Sequence, residues 1–199
     1  CNWKVAMEAF NEAYHVQGTH PEFTVFGQFT GTAKVQGKHS QTLYDAASDG
    51  NKTKIRLGKG DPRTSTAEMQ RYTWDHTAGT TTTWTLVSTA QTLVDELPEG
   101  TPADQVLKYW VDKARKTDAD RGAVWPTVDP DAYQKAGNAW QVFPNFQIGH
   151  ALNNALCYQA RPCGWDPNKC IFEMEVLELF PKGEEPKAPW IHTPLEDPN

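Results

Sequence analysis

The sequence holds no apolar run approaching the roughly 18 residues that a membrane-spanning helix requires, so no transmembrane segment is expected. It has no surplus of positive charge. Lys and Arg total 19 against 25 Asp and Glu, a net charge of −6, which argues against general binding to nucleic acid or to an acidic membrane surface. It has no C-x-x-C, which speaks against a zinc ribbon or a thioredoxin-like site. Four cysteines, at positions 1, 157, 163 and 170, are too few to act as a disulfide scaffold for 199 residues. Internal repeats and low-complexity tracts are also missing. The first residue is Cys1, and Asn2-Trp3-Lys4 leads at once into an amphipathic pattern, without the polar tether expected after a lipid-bearing cysteine. The chain therefore reads as a fragment that starts inside a domain.

What is present suits a folded domain. Apolar residues make up 38% and aromatics 11%, enough to build a core. Trp3, Met7, Phe10 and Tyr14 recur at intervals of three and four, which predicts a helix over about 2–17, ended by Gly18 and Pro21. Alternation then predicts strands over 23–30, 33–36, 41–45 and 53–57. The β-branched run from Thr80 reads as strand at its start and is ambiguous from Val87 to Leu97. Thr101-Pro102 reads as an N-cap followed by proline in the first helical position, opening a helix that carries Val106, Tyr109, Trp110 and Lys113. Segment 117–138 is polar and rich in Asp, Gly and Pro, and is expected to be a surface connection. Three strands are expected to follow, over 140–148, 151–160 and 170–180, with an irregular tail from Pro181. The fold class is α+β, an antiparallel sheet with flanking helices.

The sharpest chemistry lies in Glu12-Ala13-Tyr14-His15-Val16-Gln17-Gly18-Thr19-His20. Two imidazoles can supply two nitrogens to one metal ion. A spacing of five places them about 140° apart on a regular helix, so convergence requires the helix to loosen, which Gly18 permits. Glu12 adds a carboxylate one turn before His15 that can orient an imidazole. Asp166, in Arg161-Pro162-Cys163-Gly164-Trp165-Asp166-Pro167, is a third-ligand candidate; its plainer reading is an Asp-Pro turn between two strands.

Taken in order, three blocks of sequence resemble the large (α) subunit of Rieske-type ring-hydroxylating oxygenases. They are Asn2-Trp3-Lys4 through Phe10, Glu12, Tyr14-His15 and Thr19-His20-Pro21; Val142-Phe143-Pro144-Asn145; and Arg161-Pro162 with Asp166-Pro167 and Phe172-Glu173. The resemblance implies a helix-grip (START-like) catalytic domain spanning 1–199, with a Rieske [2Fe–2S] domain upstream. It implies a mononuclear non-haem Fe(II) on His15, His20 and Asp166, a facial triad that leaves positions open for O₂. It places Glu12 where the family carries an acidic link to the Rieske cluster of a neighbouring subunit. Glu at this position, where Asp is common, and Ala9, near where Asn is common, are departures from the family.

The resemblance further implies an apolar, aromatic substrate that is mono- or cis-dihydroxylated, with electrons from NAD(P)H passing through a reductase and ferredoxin. A homotrimer or α3β3 assembly in a bacterial cytoplasm is expected, with no nucleic-acid or membrane partner. Phe10, Phe143, Phe146, Leu152 and Trp110 are candidates to line the substrate cavity, and His150 to hydrogen-bond substrate. A different class of function is a metal-independent module that binds apolar ligands on a START-like fold. A zinc hydrolase built on H-x₄-H is weaker, because no Glu stands between the histidines on a regular helix.

Overall fold

From Ala139 the sequence alternates and turns in short steps, and it folds as an antiparallel meander. Strands β3 (Ala139–Val142), β4 (Phe146–His150), β5 (Asn154–Cys163) and β6 (Asp166–Glu178) pair in chain order. Strands β1 (Thr32–Gln36) and β2 (His39–Leu43) join through β2–β3, so the sheet runs β1 to β6. This is a computed structural model, and it describes residues 1–12, 15–20, 32–43 and 60–194. The strands expected over 23–30 and 53–57, and Tyr14, lie outside the described residues.

The single strand expected over 140–148 is instead a hairpin, turned at Phe143-Pro144-Asn145. Proline offers no ladder N–H, so the run breaks there. The register sets one continuous row across the sheet: Ser40 faces Gln141, Gln141 faces Gln147, Gln147 faces Tyr158, and Tyr158 faces Met174. Residues directly opposite in antiparallel strands share a face, so this row lies on one side of the sheet. Phe146, Ile148 and His150 point to the other side.

The run from Thr80, expected to open as strand, is helical from Trp84, whereas the helix expected after Pro102 is present. Helices α3 (Pro62–His76), α4 (Trp84–Gln91), α5 (Leu93–Glu96) and α6 (Ala103–Asp120) form a layer of their own. Thr83 caps α4 by accepting from the Leu86 N–H at 3.3 Å. The β-branched Thr85, Val87 and Thr89 are buried, and Thr89 returns its hydroxyl to the Thr85 carbonyl at 2.6 Å. Burial against α6 overrides their strand preference. Ala90, Leu93, Val106 and Trp110 form the buried cluster between α4, α5 and α6. Asp61 caps α3 with Pro62 in its first turn, a start signal the aperiodic middle conceals. The buried Arg63 then donates to the Leu97 carbonyl at 2.6 Å, serving the end of α5.

Segment 117–138 is more than a surface connection. Helix α6 continues to Asp120, Ala123 and Trp125 are buried, and α7 (Pro130–Ala136) follows. Asp118 is fully buried. Its carboxylate accepts from Thr85 Oγ1 at 2.6 Å, Trp125 Nε1 at 2.6 Å, Arg121 Nε at 2.9 Å and Asn153 Nδ2 at 3.3 Å. Burial pushes its pKa up, but these donors outweigh burial and hold it below the ordinary value. Arg121 also reaches Glu178 at 3.6 Å, so one polar joint ties α4 and α6 to the ends of β5 and β6.

Candidate metal site

The helix expected over 2–17 is short and interrupted. Asn2 caps α1 (Trp3–Glu8), accepting from the Lys4 N–H at 2.9 Å, and its own amide donates to the Pro167 carbonyl at 3.0 Å. Helix α1 packs on β5 and β6. Just past its end, the Phe10 ring stacks on Tyr158 with centroids 4.2 Å apart, and on Phe172 at 6.1 Å. A single-turn helix, α2 (Val16–Thr19), comes later.

The break has a local cause. Glu12 Oε2 accepts from the His15 backbone N–H at 3.0 Å, and Oε1 lies 2.6 Å from His15 Nδ1. Glu12 thus caps α2, with His15 immediately before the helix and His20 immediately after it. Their rings come to 5.5 Å between centroids at an angle of 74°. Convergence was expected to need loosening at Gly18. Instead Gly18 sits inside α2, with His15 and His20 at its two ends.

A carboxylate only accepts, so the contact places a proton on His15 Nδ1, and in the neutral imidazole Nε2 then carries the lone pair. That is how a carboxylate prepares an imidazole to bind a metal. The Glu12 and His15 side chains keep 24% and 25% of their surface exposed, so the pair is shielded but reachable.

Asp166 is not part of this group. It is exposed at the tip of the β5–β6 hairpin, where its Oδ1 accepts from the Asn168 N–H at 2.9 Å. Asn2, at the start of α1, meets the neighbouring Pro167, whereas the histidines follow the end of α1. Phe172, under Phe10, lies six residues from Asp166, roughly 15–20 Å along a strand. Among the described residues, no three His, Cys, Asp or Glu side chains group as a metal site. The structure therefore assembles the two histidines with Glu12 and leaves Asp166 as the turn residue of its plainer reading.

The cavity candidates do not converge either. Phe10 belongs to the aromatic stack over β5–β6, Phe146 points to the opposite face, and Leu152 sits in the β4–β5 turn. Phe143 is exposed beneath Lys38, 5.6 Å from its ring. Trp110 is helical core, its indole N–H donating to the Leu86 carbonyl at 2.9 Å. His150 is half-buried, edge-on to Tyr133 at 5.9 Å, and burial lowers its pKa. His39 Nδ1 accepts from the Phe143 N–H at 3.1 Å, and His76 stacks on Tyr72 at 3.7 Å. Sequence reasoning missed Asp118, whose signal is weak, because an aspartate in the polar last turn of a helix reads as solvated.

The model of the ring hydroxylating alpha subunit (catalytic domain) family matches residues 1–189. The chain belongs to that family. An antiparallel sheet with flanking helices agrees with its helix-grip architecture. The match supports an oxidoreductase of the ring-hydroxylating oxygenase kind. No curated protein and no solved structure matches the chain. Among the described residues, no helix is long and apolar enough to cross a membrane.

Proposed function

We propose that this chain is the catalytic domain of a ring-hydroxylating oxygenase and that His15 and His20 are its iron-binding pair. The observation that carries the reading is the geometry of α2, a one-turn helix flanked by two imidazoles whose rings lie 5.5 Å apart. The donor chemistry of the pair suits Fe(II), and Glu12 orients His15 behind it. Asp166, at the hairpin tip, does not suit the third position, so the sequence expectation of an Asp166 ligand is not carried into this proposal. Fe(II) held here would supply O₂ activation for hydroxylating an aromatic or similarly apolar substrate.

The residues of this chain supply the rest. Glu12 fixes the His15 tautomer and, part-exposed, is the contact toward a Rieske [2Fe–2S] cluster on a neighbouring subunit. Electrons would come from NAD(P)H through a reductase and ferredoxin, in a homotrimer or α3β3 assembly in a bacterial cytoplasm. The Phe10–Tyr158–Phe172 stack holds the segment that carries the pair against the sheet.

Anaerobic equilibrium dialysis against Fe(II) tests the site. The parent chain is expected to retain iron in proportion to protein, and His15→Ala and His20→Ala are each expected to lose it. Naphthalene binding that ignores both substitutions and a chelator would favour the metal-independent module instead.

A further inference from the structure

A strand with one buried face should carry apolar residues on it, yet the row beneath the histidine-bearing segment is polar. Ser40 on β2, Gln141 on β3 and Gln147 on β4 lie side by side, and Gln147 is only 4% exposed. Gln147 Nε2 donates to the Phe10 carbonyl, two residues before Glu12. Ser40 Oγ lies 3.1 Å from Asn11 Oδ1 and 3.2 Å from Gln141 Oε1. Its single proton serves one of these oxygens, and the other amide turns its NH₂ toward the hydroxyl. Two consecutive residues, Phe10 and Asn11, are therefore pinned to the sheet by polar side chains immediately before Glu12.

Gln147 carries a cost. Its Oε1 is buried without a hydrogen-bond partner among the described residues. An orphaned buried acceptor loses about 1–3 kcal/mol, and a leucine of similar length would avoid that loss. A polar residue that is buried on the sheet and leaves an acceptor open is kept for something other than stability.

We propose that Gln147 and Ser40 are positioning residues for the metal site. They fix the Phe10–Asn11 link, and through it the place of the Glu12 carboxylate that orients His15. The proposal rests on the two-histidine reading above, and the test separates the two. Co(II), with its visible absorption, serves as the probe, titrated into the full chain anaerobically, with urea unfolding measured alongside.

In Gln147→Leu, Co(II) affinity is expected to fall about tenfold with an altered absorption band, the lower end of the loss seen when outer ligand supports are removed. The urea midpoint should change little, since losing the orphaned Gln147 acceptor offsets freeing the Phe10 carbonyl. Ser40→Ala should weaken Co(II) by a smaller factor. Gln147→His, which keeps a ring N–H donor for the Phe10 carbonyl, should recover part of the affinity. Parent-like affinity and spectrum in both Gln147→Leu and Ser40→Ala would overturn the proposal while leaving the histidine pair intact. A Gln147→Leu chain that loses stability in step with affinity would make the residue structural, and likewise overturn it. A parent chain that binds no Co(II) would overturn the two-histidine reading and this proposal together.

Discussion

The polar joint around Asp118 and the polar row around Gln147 solve the same problem in opposite ways. Both place polar side chains where water is excluded. At the joint, one carboxylate on α6 collects four donors from α4, the segment after α6 and the β4–β5 turn, so its charge is neutralised by geometry. Beneath the histidine-bearing segment, Gln147 spends its amide on one carbonyl and leaves its oxygen unpaired. The first arrangement holds two layers together. The second forgoes stability to fix a loop. On the proposal above, the contrast separates a region built for folding from one built for a site.

The largest effect that would break this contrast is Asp118→Ala. It strands the Thr85, Trp125, Arg121 and Asn153 donors in the interior, and a loss of about 3–5 kcal/mol in urea unfolding is expected. A loss under about 1 kcal/mol would mean that the joint does not hold the layers. Because the folded pKa of Asp118 is lowered, its contribution is present above the unfolded value and fades as pH falls through the folded one.

Glu178 sharpens the same comparison with a smaller effect and the opposite sign. Burial raises its pKa, nearby Asp118 raises it further, and Arg121 opposes both. A raised carboxyl pKa stabilises the fold below the unfolded value, and that stabilisation is lost as pH rises through the folded one. Glu178→Gln should therefore match or exceed the parent in stability near pH 7, by under about 1 kcal/mol, and flatten the decline between mild acid and neutrality. Thermal melts across that range check the slope. A steeper decline in the variant would contradict the assignment.

The sheet and the close approach of the His15 and His20 rings were legible in the sequence because each rests on local signals. Alternation marked β5 and β6, and Glu12, His15 and His20 lie within nine residues of one another. Helix α6 was legible from its start signal, but α4 was not, because Thr85, Val87 and Thr89 look like strand until α6 buries them. The continuous helix through residue 17 failed for a related reason. Periodicity from Trp3 to Phe10 carries no notice that Glu12 will cap a new turn. Asp166 shows the limit of order along the chain. It lies at the tip of the β5–β6 hairpin and does not group with the histidines among the described residues.

The central claim is that the metal unit is His15 and His20 with Glu12 behind, and that Asp166 belongs to the hairpin. X-ray absorption at the iron edge on the anaerobically Fe(II)-loaded chain, parent against Asp166→Asn, tests it most directly. The account predicts two imidazole ligands in both, with unchanged edge and shell distances. Loss of an oxygen ligand, or of iron itself, in Asp166→Asn alone would contradict it.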